Sequence, residues 1–195
     1  GMPSICRGTG VGKSMAYLLP SALGALRSGS RIGVATKTNA LLDQIVYKEL
    51  PLLKDTLAKA GAGDLSYVAL KGFSHYPCMR KVSHIVSDGA RTVNVTGKDV
   101  SQAPSIAALL SYIEQTEYDD MDGLKLDYRV LPRYAITTTS RECLKRKCPF
   151  FGPQCFVHGL RKRAESANVL VTNHSLFFCD LAAEGFLLPP TRYWV

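Results

Sequence analysis

The chain has 195 residues, of which 46% are hydrophobic and 21% are charged, an ordinary composition for one globular domain or one domain with an insertion. No apolar run approaches the roughly 18 residues of a membrane span, and no export signal opens the chain, so we expect a protein that is neither secreted nor membrane-bound. The net charge is +8, and the whole excess lies between Lys125 and Arg163, where ten Lys and Arg accompany two acids. Interleaved aromatic side chains favour a nucleic-acid surface there over a merely solvated basic face.

A glycine-rich segment from Arg7 to Ser14 precedes an apolar helical pattern. In such a layout the backbone N–H groups wrap a phosphate, the lysine reaches the terminal phosphates and the serine hydroxyl binds Mg²⁺. Arg7 departs from the strict pattern, which has glycine there. Three alternating glycines favour a phosphate site over a turn that only caps a helix. The predicted site comprises Gly8, Thr9, Gly10, Val11, Gly12, Lys13 and Ser14.

Strands and helices alternate in the next part of the chain. Residues 31–36 have the pattern of a short buried strand, and Thr38 is suited to cap a helix over about 39–57. Pro51 is expected to kink or divide that helix. A second strand is predicted over 65–70. This order is typical of βαβ units, so we predict an α/β fold with a mostly parallel sheet.

The alternation stops after Gly72 and returns near the end of the chain. We predict an insertion of mainly helical and irregular structure, with one helix over 105–115. A buried strand follows over 167–172, and one more strand begins at 192–195. Since the last residues are apolar, we expect that the sequence is truncated. The predicted division is 1–72, 73–163 and 164–195, in which the first and last segments form one domain.

Four of the six cysteines lie in the predicted insertion, with 64, 4 and 6 residues between them: Cys78, Cys143, Cys148 and Cys155. In a reducing compartment, metal ligation is favoured over disulfides. Thiolates select iron–sulphur clusters, zinc or Cu(I). The spacing leaves cluster and zinc open, because zinc sites use tight pairs whereas cluster ligation tolerates a longer interval and a distant ligand.

Two histidines and two further cysteines need an interpretation as well. His75 and His158 are close enough in sequence to be alternative zinc ligands, although surface or packing roles are the simpler interpretation. Cys6 and Cys179 lie in or beside apolar runs, and we predict that both are small buried side chains.

Taken in order, these segments resemble the iron–sulphur superfamily-2 DNA helicases of the DinG/XPD type. Gly8–Ser14 resembles their first ATPase motif, and Ala35–Gln44 resembles motif Ia, which contacts the single-stranded DNA backbone in that family. Lys71–Cys78 and Cys143–Cys155 resemble the segments that carry the four cluster cysteines. The later segments resemble the strand that re-enters the motor lobe and the lead-in to the DEAH box: Asn168–His174 and Pro189–Val195.

The resemblance implies a partial RecA-like P-loop lobe with an inserted iron–sulphur domain. It implies ATP and Mg²⁺ at Gly8–Ser14, with Lys13 and Ser14 as catalytic residues, and DNA contacts at Lys37 and Thr38. The cysteines would hold a 4Fe-4S cluster: Cys78, Cys143, Cys148 and Cys155. The implied activity is ATP-dependent unwinding of single-stranded or forked DNA in repair or replication, in the cytoplasm or, in a eukaryote, the nucleus.

Several positions depart from the family. Arg7 and Cys6 replace a small residue and an acid, and Phe73 and His75 replace Arg and Asn. The DEAH carboxylates and the second helicase lobe are missing from the sequence, so we expect these residues alone to be inactive. The rival hypothesis is a nucleic-acid-binding module without motor activity, in which the four cysteines hold a stabilising zinc ion. A small P-loop kinase is a third, weaker hypothesis, because the basic cysteine insertion counts against it.

Overall fold

A computed structural model describes residues 12–185 and 187–195. The chain forms two compact units, each treated by itself below. The first contains the described residues up to Leu70 together with Arg163–Val195, and the second is Lys71–Lys162. Six residues named in the sequence analysis lie outside the described residues: Cys6, Arg7, Gly8, Thr9, Gly10 and Val11.

The regular elements alternate between helix and strand at both ends of the chain. In chain order they are α1 (Lys13–Ser28), β1 (Ile32–Thr36), α2 (Asn39–Gln44), a π-helical turn (Ile45–Glu49), α3 (Leu50–Lys59), β2 (Tyr67–Leu70), α4 (Met79–Asp88), β3 (Thr92–Val95), β4 (Lys98–Ser101), α5 (Ala103–Gln115), α6 (Arg133–Ile136), α7 (Phe156–Ala164), β5 (Val169–Asn173), α8 (His174–Ala182) and β6 (Tyr193–Trp194).

A parallel sheet with the strand order β2-β5-β1-β6 organises the first unit. The α/β class with a parallel sheet is therefore confirmed. β5 pairs with both β1 and β2, although about a hundred residues separate it from them in sequence. Its residues Val169, Leu170 and Val171 are fully buried, as expected for an interior strand of a parallel sheet. The chain therefore leaves the sheet after the edge strand β2 and returns to it at the interior strand β5.

The predicted helix after β1 forms, with a change of geometry in its middle. Thr38 caps it, because its hydroxyl accepts a hydrogen bond from the Leu41 N–H at 3.2 Å. The π-helical turn precedes Pro51, and the Leu50 N–H donates to the Ile45 carbonyl five residues back. Pro51 has no N–H to donate to the helix. The wide turn is the local irregularity that the sequence predicted at this proline.

The core of the first unit lies between the sheet and its helices. Its buried members come from α1, β1, the helix after β1, the loop before β2, and β5: Leu18, Ala22, Val34, Leu42, Ile45, Leu50, Leu53, Leu57, Leu65, Val169 and Val171. On β1, a Cβ atom at Gly33 would overlap the Trp194 ring. Glycine at that position therefore lets β6 pack beside β1.

The second unit contains a β-hairpin that the sequence analysis missed. β3 and β4 pair antiparallel, with Val93 opposite Val100. Thr96 and Gly97 form the two-residue turn, and both have positive φ angles, 49° and 81°, which is typical of a type I′ hairpin turn. The sequence analysis predicted no strand in this segment, although the alternating valines around Thr96-Gly97 are a hairpin signal.

A smaller apolar core holds the helices of the second unit. The predicted helix over 105–115 is confirmed as α5. Its residues Ile106 and Leu109 pack with buried residues from α4, α6 and the connecting segments: Val82, Met121, Leu131 and Ile136. In the part of the chain that the structure describes, no helix combines the length and the apolar character that crossing a membrane requires.

Candidate metal centre and phosphate-binding helix

All four predicted cysteine ligands line one cavity of the second unit: Cys78, Cys143, Cys148 and Cys155. Cys78 directly precedes α4, and Cys155 directly precedes α7. Cys143 and Cys148 flank a short 3₁₀ turn, Lys145–Lys147. The empty space is about 460 Å³, part of it open to solvent. The structure thus brings together sulphur atoms from three separate segments of the chain.

Backbone N–H groups point at two of the sulphur atoms. The Lys145 N–H donates to Cys143 Sγ at 3.4 Å. The N–H groups of Val157 and His158, in the first turn of α7, donate to Cys155. These N–H donors and the positive end of the helix dipole both favour a negatively charged thiolate. This environment suits cysteines that bind a metal as thiolates.

The surroundings of Cys155 have opposing effects on its pKa. Burial raises the pKa of Cys155, the backbone N–H groups lower it, and the nearby Cys143 and Cys78 raise it further. Several thiolates around one cavity therefore need a cation to offset their charge. Soft thiolate ligands fit zinc or an iron–sulphur cluster.

The cysteines share the cavity without forming a ready coordination shell. Across the described ranges 12–185 and 187–195, no three side chains of His, Cys, Asp or Glu are gathered closely enough to hold a metal ion. Metal sites are seldom fully formed before the metal binds. The donor set and its surroundings therefore fit a metal, although the structure contains the ligands in an open arrangement.

His158 lies at the same cavity. Its Nε2 is 3.7 Å from Cys143 Sγ. Its ring packs against Phe151, with 4.6 Å between ring centroids, and meets the edge of Phe73 at 6.3 Å. Burial lowers the pKa of His158, and the positive charges of Arg161 and Lys145 lower it further. His75, the other histidine considered as a ligand, instead contacts Asp122 through Nδ1 at 2.9 Å.

Lys71 forms a buried ion cluster with Asp120 and Asp122, which the sequence did not predict. The Lys71 side chain is 1% exposed, and its Nζ lies 2.9 Å from Asp120 and 3.0 Å from Asp122. Asp122 also accepts a hydrogen bond from Arg133 at 2.7 Å. Burial alone would raise the pKa of Asp122, but hydrogen bonds from Arg133, His75 and Lys71 together hold it well below its usual value. The acidic segment is thus an internal partner for Lys71, as only the tertiary structure reveals.

The ion cluster fixes the segment that leads to Cys78. The Lys71 N–H donates to the Tyr76 hydroxyl at 2.9 Å, and Arg133 Nε donates to the Ser74 carbonyl at 3.0 Å. The Cys78 N–H donates to the Ile136 carbonyl at 2.8 Å. Residues 71–78 are therefore bonded at several points to the acidic segment and α6, which sets the position of the first cysteine.

The outer face of the cysteine region is basic and partly aromatic. Lys145, Arg146 and Lys147 occupy one exposed turn between two of the cysteines. Tyr134, at the start of α6, is 76% exposed. Exposed cations and an exposed aromatic ring are the groups that bind phosphates and stack on bases.

α1 begins as the predicted phosphate-binding loop requires. Gly12 precedes the helix with a φ of 70°, in the left-handed region, and Lys13 and Ser14 form its first turn. Lys13 is exposed. The first N–H groups of a helix have no partner within the helix, and they attract anions. Lys13 and Ser14 are thus placed to contact a phosphate, whereas most of the predicted loop lies outside the described residues.

The predicted DNA-contacting residues lie at the carboxyl end of β1. Lys37 and Thr38 are both exposed. Asn39 accepts a hydrogen bond from Asn173 Nδ2 at 2.7 Å, which joins this turn to the end of β5. In parallel sheets ligands bind at this edge.

The prediction that Cys179 is buried is wrong. Cys179 is exposed on α8, because the apolar residues around it include exposed positions such as Phe178.

Comparison with known proteins extends over almost the whole chain. No model of a protein family matches it. The ATP-dependent helicase DinG of Mycobacterium tuberculosis is 35% identical over 202 aligned residues, which cover 96% of this chain and 29% of that protein. The ATP-dependent DNA helicase YoaA of Haemophilus influenzae is 31% identical, with 93% of this chain and 27% of that protein covered. The ATP-dependent DNA helicase DinG of Escherichia coli is 28% identical, with coverages of 93% and 26%.

The chain spans less than a third of the length of these relatives. The similarity covers at least 93% of this chain in each comparison, so it includes most of the sheet unit as well as most of the cysteine unit. Over most of its length this chain is thus similar to one segment of the DinG and YoaA ATP-dependent helicases.

Proposed function

We propose that this chain is a segment of an ATP-dependent DNA helicase, with a partial RecA-like motor lobe and an inserted domain that holds a 4Fe-4S cluster. The convergence of four cysteines on one cavity carries the proposal. The inserted domain corresponds to the predicted segment 73–163, and the lobe to 1–72 and 164–195. The names of the relatives supply the reaction class.

The proposed cluster ligands are Cys78, Cys143, Cys148 and Cys155. When bound, the cluster would supply a rigid, redox-active cross-link among the segments that carry them. The chain itself contributes the backbone N–H groups of Lys145, Val157 and His158, which offset charge on sulphur. The buried Lys71 and its two carboxylate partners hold the segment before Cys78 in place. The intervals between the cysteines leave zinc open, and iron–sulphur is preferred because the segments around these cysteines resemble those that carry the cluster in iron–sulphur helicases.

The proposed nucleotide site is the start of α1. Lys13 contacts the terminal phosphates of ATP, and the Ser14 hydroxyl binds Mg²⁺. Gly8, Thr9, Gly10, Val11 and Gly12 complete the loop through their backbone N–H groups. Hydrolysis also needs an acidic Mg²⁺ ligand, a positioned water and cations on the transferred phosphoryl group. We expect those groups in the remaining length of the whole protein, and negligible ATP hydrolysis by these 195 residues alone.

The proposed substrate is single-stranded or forked DNA, unwound during repair or replication. Lys37 and Thr38 contact the DNA backbone at the sheet edge. The exposed basic turn Lys145–Lys147 contributes phosphate contacts beside the cluster. Because the substrate is DNA and thiolate ligands need a reducing compartment, we place the protein in the cytoplasm, or in the nucleus of a eukaryote.

Anaerobic purification followed by spectroscopy and metal analysis tests the cluster. We expect a brown protein that absorbs near about 400 nm and contains iron and acid-labile sulphide, because thiolate-bound iron absorbs there. Cys155→Ser is expected to abolish both signals, whereas the exposed Cys179→Ser leaves them unchanged. A colourless protein with stoichiometric zinc, lost in Cys155→Ser, would overturn the cluster and favour the non-motor zinc module.

Binding to fluorescent oligonucleotides over a range of salt concentrations tests the DNA contact. Replacing Lys145, Arg146 and Lys147 by Ala removes three exposed cations. We expect weaker binding to single strands and a salt slope that falls by about 2, since each phosphate contact contributes about 0.7. The control replaces three exposed lysines elsewhere, namely Lys48, Lys59 and Lys98. Equal losses in both variants would mean that only the net charge matters.

A further inference from the structure

His158 lines the cysteine cavity and packs against two aromatic rings. It lies in the first turn of α7, three residues after Cys155, which directly precedes the helix. Phe151 packs against the ring at 4.6 Å, and Phe73 meets it edge-on at 6.3 Å. The Arg161 guanidinium lies over the Phe73 ring, 4.9 Å from its centroid. The orientation of the imidazole is thus defined by its neighbours.

The edge of the imidazole that faces the cavity meets a sulphur atom. Nε2 lies 3.7 Å from Cys143 Sγ, within hydrogen-bonding range for sulphur. In the free thiol either atom could donate the proton. A cysteine that binds iron has lost its proton, so the bond can then form in one direction only, from the imidazole N–H to the thiolate.

We propose that His158 is a further residue of the metal centre, whose Nε2–H donates to the sulphur of Cys143 and raises the reduction potential of the cluster. The inference rests on the proposed iron–sulphur cluster and adds a function for a residue outside the ligand set. Adding an electron increases the negative charge on the sulphur atoms. A donor at sulphur therefore stabilises the reduced cluster more than the oxidised one, and hydrogen bonds of this kind set cluster potentials.

Redox titration of the anaerobic protein, followed by absorbance and EPR, measures this effect without any helicase assay. His158→Phe retains an aromatic ring and removes the donor, so we expect a lower midpoint potential with the iron content unchanged. His158→Gln retains an N–H donor, so we expect a potential between those of His158→Phe and the wild type. The control is His84→Phe, which makes the same change at an exposed position of α4.

The shifts in midpoint potential of the two His158 variants distinguish an effect of the hydrogen bond from an effect of ring packing. Potentials equal to the wild type in both His158 variants would overturn the inference. A larger shift in His158→Gln than in His158→Phe would also overturn it, because packing of the ring would then be the dominant effect. A wild-type protein without a cluster would overturn the proposed function itself, and this inference with it.

A measurement on the wild type remains decisive if the variants do not fold. Protein labelled with ¹⁵N only at the imidazole nitrogens of histidine, which excludes the backbone N–H of His158 that donates to Cys155, is reduced and studied by pulsed EPR. We expect a nitrogen hyperfine coupling to the reduced cluster, because Nε2 would lie one hydrogen bond from a ligand sulphur. Absence of any histidine coupling in a reduced, EPR-active cluster would contradict the hydrogen bond.

Discussion

The two units of this protein are stabilised by different interactions. The sheet unit has eleven fully buried apolar residues in one core, together with a parallel sheet whose central strand is apolar throughout its first three residues. The cysteine unit has a core of six buried apolar residues, to which it adds a buried lysine with two carboxylate partners and four cysteines around a cavity. Since burial of apolar area is the main favourable term in folding, we expect the second unit to depend more on charge and on the proposed metal.

This difference predicts that the two units respond unequally to the same kind of change. Loss of a metal ligand or of the buried cation should affect residues 71–162 and leave the sheet unit intact. Loss of a local interaction in the sheet unit should change the hydrogen exchange of that unit only slightly, because its larger apolar core keeps it folded. Hydrogen exchange resolved by peptide, reported separately for the two units, measures both responses.

The largest effect is expected from removal of a cysteine ligand. Cys148→Ser should abolish iron binding and increase hydrogen exchange throughout residues 71–162, because metal binding supplies folding free energy, about 10 kcal/mol or more in structural zinc sites. Exchange in the sheet unit should stay as in the wild type. Cys179→Ser, at an exposed cysteine of α8, is the matched control. Unchanged protection of 71–162 in iron-free Cys148→Ser would show that this unit folds without its metal.

The next largest effect is expected at the buried ion cluster. Lys71→Met should destabilise the cysteine unit by about 3–5 kcal/mol, because it leaves Asp120 and Asp122 without their buried cation. Denaturant unfolding of wild type and variant measures this difference. Lys54→Met removes a half-exposed lysine whose partner Asp64 is 79% exposed, and it should cost about 1 kcal/mol or less. Equal effects of the two changes would mean that the buried cluster contributes no special stability.

A smaller loss of folding stability is expected when the pH is lowered. The pKa of Asp122 is lower in the folded protein than its ordinary value of 3.8, so the unfolded chain takes up a proton there first as the pH falls. The stability that this carboxylate contributes is complete well above pH 3.8 and is lost as the pH falls from 3.8 towards the lower folded pKa.

Unfolding free energies measured between neutral and acidic pH test this dependence. Asp122→Asn should be less stable at neutral pH and should lose less further stability on acidification. Asp55→Asn, at an exposed position of α3, should keep the slope of the wild type. If Asp122→Asn had the same pH slope as the wild type, another group would be responsible for the acid sensitivity.

The smallest effect is expected at the helix cap of the sheet unit. Thr38→Ala removes the oxygen that accepts from the Leu41 N–H, which should cost about 1 kcal/mol. Thr38→Ser keeps the hydroxyl and should restore most of this loss in thermal unfolding. A cost in Thr38→Ala well above about 2 kcal/mol would indicate that Thr38 does more than cap the helix.

Regular patterns of side chains made much of the sheet unit predictable. Strict apolar runs predicted β1 and β5, the hydroxyl of Thr38 predicted the helix start, and Pro51 predicted the irregular helix. The hairpin of β3 and β4 was missed although its signal is local. Its valines are only partly buried and alternate with exposed residues, so these strands lack the continuous apolar runs of β1 and β5. Cys179 was misjudged because an apolar neighbourhood in sequence does not determine which face of a helix is covered.

The sequence by itself determined the parallel α/β class, the helix and strand periods, the resemblance to a helicase family and the four cysteines as candidate ligands, since each depends on residue type and spacing along the chain. Only the tertiary structure decided that β5 lies between β1 and β2, that Lys71 meets Asp120 and Asp122, and that His158 faces Cys143. Those arrangements join residues that are far apart in the chain. Packing in three dimensions selects such partners, and no local pattern specifies them.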